Sequence, residues 1–171
     1  MQKLGNEASN TYVRNAITSA LLDLLKEKSF TEISVSELTA TAKVSRNSFY
    51  RNYRSMEDIL NDYIKDQLTT WEEGYRRLGK NSNAELYGSF FGYLKEHADF
   101  YLMLEAQGLF PVFQSAYLEK FGPKPEHPNM WAYTTAFIAY GTFGWIKEWM
   151  ARGMQESAES MAAMLAANGM K

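Results

Sequence analysis

The stretch SVSELTATAKVSRNSFYRNYR, residues 34–54, contains two short helical patterns separated by a brief turn. Ser34 is suited to cap the first helix, and the glutamate three residues on completes a capping box. Ser45 is suited to cap the second, whose inward face is formed by Phe49 and Tyr53, four residues apart. Two short helices joined in this way indicate a helix-turn-helix, in which the second helix enters the DNA major groove.

The second half of this stretch is basic, although the chain as a whole is slightly acidic. It carries four cations, Lys43, Arg46, Arg51 and Arg54. Residues 1–54 hold eight Lys or Arg and five acids, a net charge of +3, whereas residues 55–171 hold ten and fifteen, a net charge of −5. A surface for a polyanion and an ordinary solvated helix face both remain open. Because solvated faces usually mix signs, the absence of any acid from residue 38 to 56 favours the polyanion.

The second helix divides into an inward and an outward face. With Phe49 and Tyr53 directed inward, the residues that point away are Arg46, Asn47, Tyr50 and Arg51. Arginine can donate two hydrogen bonds to guanine and asparagine can pair with adenine. Phosphate oxygens suit hydroxyl, amide and cationic groups, and we assign them to Lys43, Ser48, Arg51, Asn52 and Arg54.

Helical periodicity extends along the rest of the chain, and no convincing strand or repeat is found. Apolar residues recur at three- and four-residue steps in 11–28, 55–78, 84–97, 99–107, 112–121, 129–152 and 157–167. The segments 79–83 and 122–128 are predicted to be loops, and Asn168–Gly169 is predicted to end the last helix. We predict an all-α protein of about nine helices. A helix-turn-helix domain would span residues 1–54, and a helical effector-binding and dimerisation domain residues 55–171.

Several functional classes find no support in the composition. Without cysteine there is no disulfide, thiolate metal site or cysteine nucleophile. There is no Gly-rich phosphate loop and no G-x-S-x-G, and His97 and His127 stand alone. We therefore predict no enzymatic activity, metal or cofactor. The uncharged segment 128–146 is interrupted by polar residues and glycines, so we predict a soluble, cytoplasmic protein rather than a membrane protein.

The stretch FTEISVSELTATAKVSRNSFYRNYRSMEDIL, residues 30–60, resembles the DNA-binding region of the tetracycline-repressor (TetR) family of bacterial transcription regulators. The matching features include VSR at 44–46, FY at 49–50 and S-x-E-D at 55–58. The remainder resembles the ligand-binding half of that family more weakly. The resemblance implies an all-α homodimer whose first three helices bind DNA. A helical body would hold a small-molecule pocket, and the last two long helices of each subunit would pair into a four-helix interface.

The resemblance also assigns residues by position. The family's base-contacting places correspond to Ser36, Arg46, Asn47 and Tyr50, and its phosphate-contacting places to Ser34, Ser48, Arg51 and Asn52. Two positions depart from the family pattern. Lys43 stands in the turn where glycine is usual, and a left-handed lysine there costs about 1–2 kcal/mol. Met56 stands where a lysine is usual, which removes one candidate phosphate contact.

The body is rich in aromatic residues, most of which must form the core. Because small-ligand pockets combine aromatic walls with a few polar groups, we select as candidates for an apolar or aromatic effector Trp71, Tyr75, Phe91, Tyr101, Phe113, Tyr117 and Tyr133. The predicted subunit interface comprises residues at helical spacing in the last two helices, Ala132, Ala136, Ala139, Phe143, Ile146, Met150, Met161, Met164 and Leu165.

Together these features predict a ligand-responsive transcriptional repressor. A homodimer would bind a palindromic operator in double-stranded DNA, and an effector would release it. The alternative is a helical module that binds a hydrophobic ligand or a protein and has no DNA function. Salt dependence separates the two, because phosphate-driven affinity falls steeply with ionic strength.

Overall fold

The computed structural model describes residues 2–79 and 82–167, with the side chains of 2–9 and 166 left out. Within that part of the chain it contains nine α-helices, one 3₁₀ turn (Phe30–Glu32) and no strand, which confirms the predicted all-α class. The helices are α1 (Gln2–Glu27), α2 (Val35–Thr41), α3 (Arg46–Asn52), α4 (Met56–Arg77), α5 (Asn83–Glu96), α6 (Ala98–Ala106), α7 (Phe110–Phe121), α8 (Asn129–Ala151) and α9 (Ala158–Ala167). The predicted stop at Asn168–Gly169, and Lys80–Asn81 of the first loop, lie outside the described residues.

The two helices of the opening stretch begin at the serines predicted to cap them. Ser34 Oγ accepts a hydrogen bond of 3.1 Å from the Glu37 N–H, and Ser45 Oγ accepts one of 3.1 Å from the Ser48 N–H. The predicted capping box at Ser34 is not closed. The Glu37 carboxylate instead accepts a hydrogen bond from Lys28 Nζ at 2.5 Å. An ion pair with the lysine that follows α1 therefore replaces the hydrogen bond that the capping box would make.

The chain forms two compact units, Met1–Tyr63 and Ile64–Lys171. The predicted division at residue 54 therefore falls inside the first unit. The opening turns of α4 belong to that unit because Ile59 and Leu60 are fully buried and Asp62 pairs with Arg14 of α1 at 2.7 Å. Helix α4 is continuous across the boundary.

In the first unit, α1, α2 and α3 pack against one another. The core is built from the apolar faces predicted by the periodicity, including Ile17, Leu21, Leu25, Leu38 and Phe49. Burial of such side chains stabilises by about 1.5–3 kcal/mol each. This packing gives the short α2 and α3 a stability that isolated seven-residue helices lack in water.

In the second unit, α5 packs on α9, and α8 packs on α6 and α7. Aromatic rings pack between the helices: Phe91 of α5 lies 5.4 Å from Trp149 of α8 between ring centroids, and Tyr117 of α7 lies 5.3 Å from Phe143 of α8. No helix in the described residues combines the length and apolar character needed to cross a membrane.

Candidate nucleic-acid interface and ligand cavity

Helix α3 buries one face and exposes the other. Phe49 is 0% exposed and Tyr53, which follows the helix, is 4% exposed. Arg46, Asn47 and Arg51 are exposed, and Tyr50 retains 56% of its surface. The spacing of the two rings thus predicted the orientation of the helix, and the groups able to read base edges lie on its outer side.

The position of α3 is set by contacts at its C-terminal end. The Phe49 and Tyr53 rings lie 6.2 Å apart. The Arg14 guanidinium lies 5.1 Å from the centroid of the Tyr53 ring and also pairs with Asp62 at 2.7 Å. A single arginine of α1 therefore contacts both the residue that ends α3 and the first turns of α4. This arrangement holds the outer face of α3 in a fixed orientation within the unit.

Four cations of this region have no acidic partner in the part of the chain that the structure describes. Lys43, Arg46, Arg51 and Arg54 are exposed, and none forms a salt bridge with any residue in 2–79 or 82–167. The nearby Asp58 is occupied by the backbone N–H groups of Arg54 and Ser55, at 2.9 and 3.1 Å. The positive charge of this surface is therefore available to an external anion.

The predicted phosphate contacts differ in how free their side chains are. Ser34 is exposed, although its Oγ already accepts the Glu37 N–H, and Ser36, the predicted base contact of α2, is exposed as well. Ser48 and Asn52 are half-buried and already bonded within the helix: Ser48 Oγ lies 2.9 Å from Ser45 Oγ, and Asn52 Nδ2 donates to the Ser48 carbonyl at 2.8 Å. One amide hydrogen of Asn52 is left to donate elsewhere.

Lys43 adopts the left-handed conformation that its position in the turn suggested, with φ = +54°. Its N–H donates to the Ala40 carbonyl at 3.1 Å, and the N–H of Val44 donates to the Thr39 carbonyl at 3.0 Å. These bonds close α2 and turn the chain into α3. The lysine therefore carries a backbone strain of about 1–2 kcal/mol that a glycine would not.

We expect Lys43→Gly to raise the free energy of unfolding by about 0.5–1 kcal/mol, because relief of the strain exceeds the entropy lost by glycine. Lys43→Ala keeps the strain and removes the same charge, so it should give no gain. Chemical denaturation of the two variants and the parent measures the difference. Equal stabilisation by both would mean that charge repulsion, not backbone strain, is relieved.

A cavity of about 340 Å³ lies in the second unit, between α4, α5, α7 and α8. Aromatic and aliphatic side chains dominate its wall, which is formed by Trp71, Glu72, Leu86, Tyr87, Phe90, Tyr117, Phe121, Thr135, Ile138, Ala139 and Thr142. The Trp71 and Phe90 rings are 4.6 Å apart, and Trp71 Nε1 donates to Ser89 Oγ at 3.1 Å. An apolar wall with a few polar groups is typical of small-ligand sites.

The one acid in this wall is neutralised by two cations. Glu72 contacts Lys120 Nζ at 2.8 Å and Arg76 at 2.6 Å. The hydrogen bond from Lys120 is the main reason that the pKa of Glu72 lies below its usual value, with the charges of Lys120 and Arg76 adding to it. Burial, with a smaller effect from Tyr87, raises the pKa of the Tyr117 phenol, and the Thr142 hydroxyl opposes part of that rise. The cavity therefore holds a carboxylate that stays ionised and a phenol that stays protonated.

In the described residues, no three His, Asp or Glu side chains come together in a way that could hold a metal ion. His97 Nδ1 lies 2.9 Å from the Tyr93 carbonyl, and His127 Nδ1 accepts from the Lys124 N–H at 3.2 Å. Both imidazoles thus have local partners.

Two family models match the chain. The model described as "Bacterial regulatory proteins, tetR family" matches residues 17–63, and the model described as "Transcriptional regulator C-terminal region" of that family matches residues 71–168. The chain belongs to the TetR family of transcriptional regulators. It is accordingly a DNA-binding regulator, and the first three helices correspond to the family's DNA-binding region.

A solved structure shares the fold. The protein named "Dihydroxyacetone kinase operon activator DhaS" is 19% identical, with a TM-score of 0.55, and the match covers 91% of this chain and 93% of that one. At this identity the likeness concerns the fold alone. No curated protein matches this TetR-family chain.

The predicted effector residues of this TetR-family protein are only partly brought together. Trp71 and Tyr117 line the cavity, and Tyr75 stacks on Trp71 at 6.2 Å without reaching the wall. The structure corrects the remaining four. Phe91, Tyr101 and Phe113 are at most 1% exposed and belong to the packed core, whereas Tyr133 is 68% exposed on the outside of α8. An aromatic residue type does not by itself distinguish core from cavity wall.

Several wall residues were missed by the sequence analysis. Thr135, Ile138, Ala139 and Thr142 occupy one side of α8 at three- and four-residue steps. Polar threonines on an otherwise apolar helical face were the available signal, since buried hydroxyls need partners. In the sequence analysis these threonines served only to argue against a membrane span.

Most residues of the predicted subunit interface in α8 and α9 face the protomer's own core. Six of its nine residues are buried within the protomer's own core and cannot contact a partner: Ala139, Phe143, Ile146, Met150, Met161 and Leu165. Ala132 and Ala136 are half-buried, and Met164 is 38% exposed. One exposed apolar face of α8, hereafter the outer stripe, consists of Met130, Tyr133, Phe137 and Tyr140, each at least 55% exposed. Trp131 and Ile138 are exposed on another side of the helix.

Proposed function

We propose that this protein is a ligand-responsive repressor that binds an approximately palindromic operator as a homodimer. A small-molecule effector bound in the second unit would release it from DNA. The observation that carries the proposal is the exposed face of α3. It combines hydrogen-bonding side chains with arginines that form no salt bridge among the described residues, while the rings of Phe49 and Tyr53 are buried.

In this proposal the outer face of α3 reads the operator. Arg46, Asn47 and Tyr50 contact base edges in the major groove, with Ser36 of α2 as a further base contact. Phosphates are held by the cations beside them and by hydroxyl and amide groups, namely Ser34, Lys43, Ser48, Arg51, Asn52 and Arg54. Support comes from the exposure of the four cations and their lack of acidic partners among the described residues.

The homodimer is proposed to form through the outer stripe of α8. Phe137 is 72% exposed and Met130 74%, and clustered apolar surface of this kind marks interaction sites. No charged residue interrupts the stripe between positions 130 and 140, so two copies related by a two-fold axis can meet without burying charge. A dimer places two recognition helices about 34–36 Å apart, or a multiple of that distance.

Effector binding is proposed to act through α4. This helix contributes Ile59 and Leu60 to the first unit's core, and Trp71 and Glu72 to the wall of the cavity. An effector shifts the protein between operator-competent and released forms only by its difference in affinity for the two. About a 10⁴-fold difference is needed to move the population from 1:99 to 99:1.

The direct test is selection of operators from a random duplex pool. We expect a palindromic consensus whose half-sites are about one helical turn, or a multiple of it, apart. Affinity for it should fall by orders of magnitude between about 50 and 200 mM salt, because several phosphates are contacted. If no duplex binds even at low salt, the chain is instead a helical ligand- or protein-binding module.

Repression is proposed because a dimer seated on promoter DNA blocks the polymerase without further contacts, whereas activation requires a recruiting surface. The name of the structurally similar DhaS describes an activator, so the direction of control needs its own test. With the selected operator between a promoter and a reporter gene, the protein should lower reporter output. An increase would reverse the assignment while leaving the operator intact.

A further inference from the structure

The cavity of the second unit contains a buried hydroxyl without a satisfied hydrogen bond. Thr142 is 2% exposed, forms part of the wall, and its Oγ1 makes no hydrogen bond of acceptable geometry. Three other threonines of the second unit bond along their own helices: Thr69, Thr70 and Thr134, whose Oγ1 donates to the Met130 carbonyl at 2.9 Å. A buried polar group left unpaired is destabilising. Among the described residues Thr142 Oγ1 has only the weak influence of its hydroxyl on the Tyr117 phenol, so a bound molecule gains there a hydrogen bond of good geometry.

A second hydroxyl lies beside the first. Tyr117 is 4% exposed and lines the same cavity, close enough to Thr142 for the threonine hydroxyl to influence the phenol. Because the phenol stays protonated, both groups are neutral and each can donate or accept. Together they form one polar corner in an otherwise apolar wall, suited to a single hydroxyl or carbonyl group.

The charges around the cavity select against an ionised ligand. Glu72 is the only charged residue of the wall among the described residues, and Lys120 and Arg76 already occupy it. A cationic ligand would find no free carboxylate, and an anionic ligand would find no cation in the wall. Burying an unpaired charge in an apolar site is far costlier than burying a neutral polar group.

The shape and composition of the wall favour a flat, compact molecule. Phe90 lies 4.6 Å from Trp71, 6.2 Å from Phe121 and 6.0 Å from Tyr117 between ring centroids. Rings at these distances offer faces and edges on which another aromatic system can stack. A volume of about 340 Å³ is near the lower end for ligand pockets, about 300–1,000 Å³.

We propose that this cavity binds a compact, uncharged aromatic compound of one or two rings whose single hydroxyl or carbonyl group bonds Thr142 and Tyr117. The inference rests on the proposed role of the cavity as the effector site and specifies the chemical class of the effector. The ring system stacks among Trp71, Phe90 and Phe121. The polar group satisfies the Thr142 hydroxyl.

The test uses four probes that share one ring system: naphthalene, 2-naphthol, 2-naphthoate and 2-naphthylmethylammonium. Each is titrated at neutral pH into the full-length protein without DNA, and binding is followed by calorimetry and tryptophan fluorescence. We expect 2-naphthol to bind about fivefold more tightly than naphthalene, as one added hydrogen bond allows. The two charged probes should bind at least about tenfold more weakly than 2-naphthol.

Variants locate the polar corner. Thr142→Val removes the hydroxyl and keeps the side-chain shape, so the preference for 2-naphthol over naphthalene should vanish while naphthalene affinity is retained. Thr134→Val, the same change on α8 outside the cavity wall, should leave the preference intact. Tyr117→Phe should reduce the preference and serves as an independent variant if Thr142→Val does not fold.

Failure of this inference is distinguishable from failure of the proposed function. The inference is overturned if no probe binds, if a charged probe binds as tightly as 2-naphthol, or if both Thr142→Val and Tyr117→Phe keep the full preference. Operator selection is a separate measurement. A protein that selects an operator but shows any of these results remains a DNA-binding regulator with a different effector. Probe binding in the predicted order without any operator would preserve the ligand class and refute the regulator.

Discussion

A single Phe137→Glu substitution on the outer stripe should convert the proposed dimer to monomers and weaken operator binding by at least about 100-fold. Phe137 lies between Tyr133 and Tyr140 on α8 and is 72% exposed in the protomer, so the change should not disturb the protomer's fold. In a two-fold interface each substitution occurs twice, which brings two carboxylates into an apolar contact. Analytical ultracentrifugation and operator titration measure the two effects.

Trp131→Glu is the matched control for this prediction. Trp131 is also an exposed aromatic residue of α8, at 69%, but it lies six residues earlier and about 120° around the helix from Phe137. It should leave the protein dimeric and the operator affinity nearly unchanged. A Phe137→Glu protein that remains dimeric would rule out the outer stripe as the interface. Dissociation of both variants would extend the interface to the cavity-side face of α8.

Arg46→Ala should weaken binding to the selected operator by about 5- to 150-fold, which corresponds to about 1–3 kcal/mol. The reason is the loss of a bidentate contact to a base edge, so binding to a scrambled duplex should change far less.

Arg51→Ala should act differently. As a phosphate contact it should weaken binding to both duplexes similarly and reduce the slope of log affinity against log salt by about 1.

Fluorescence anisotropy with both duplexes at several salt concentrations separates the two roles. Both arginines are exposed and form no salt bridge among the described residues, so neither substitution should lower the melting temperature appreciably. Thermal unfolding of the two variants is therefore the stability control. Equal loss by Arg46→Ala on selected and scrambled DNA would reassign Arg46 from bases to phosphates.

The DNA-binding unit was largely predictable because its signals are local. Serine caps at Ser34 and Ser45 and two rings four residues apart specify helix starts and an inward face over a few residues of chain. The departure at Glu37 has a non-local cause. Lys28, nine residues away in sequence, competes for its carboxylate, and no local pattern contains that contact.

The cavity was less predictable because its wall is assembled from four helices. Trp71 and Tyr117, selected by residue type, line the cavity, whereas Phe91 and Phe113, of the same type, are fully buried in the core. Whether a ring contacts a cavity or another ring depends on how α4, α5, α7 and α8 are placed. Spacing within one helix carries no information about that placement.

Helix α8 shows most clearly which features follow from local sequence and which follow from the packing of helices. Periodicity along the chain predicts a helix near residues 129–152, and the composition makes that helix apolar over most of its circumference. Packing against the neighbouring helices is what places Phe143 and Ile146 in the protomer's own core and leaves Tyr133 and Phe137 outside. The physical reason is that hydrophobic burial is non-directional, so two apolar faces of one helix compete equally until neighbouring helices cover one of them.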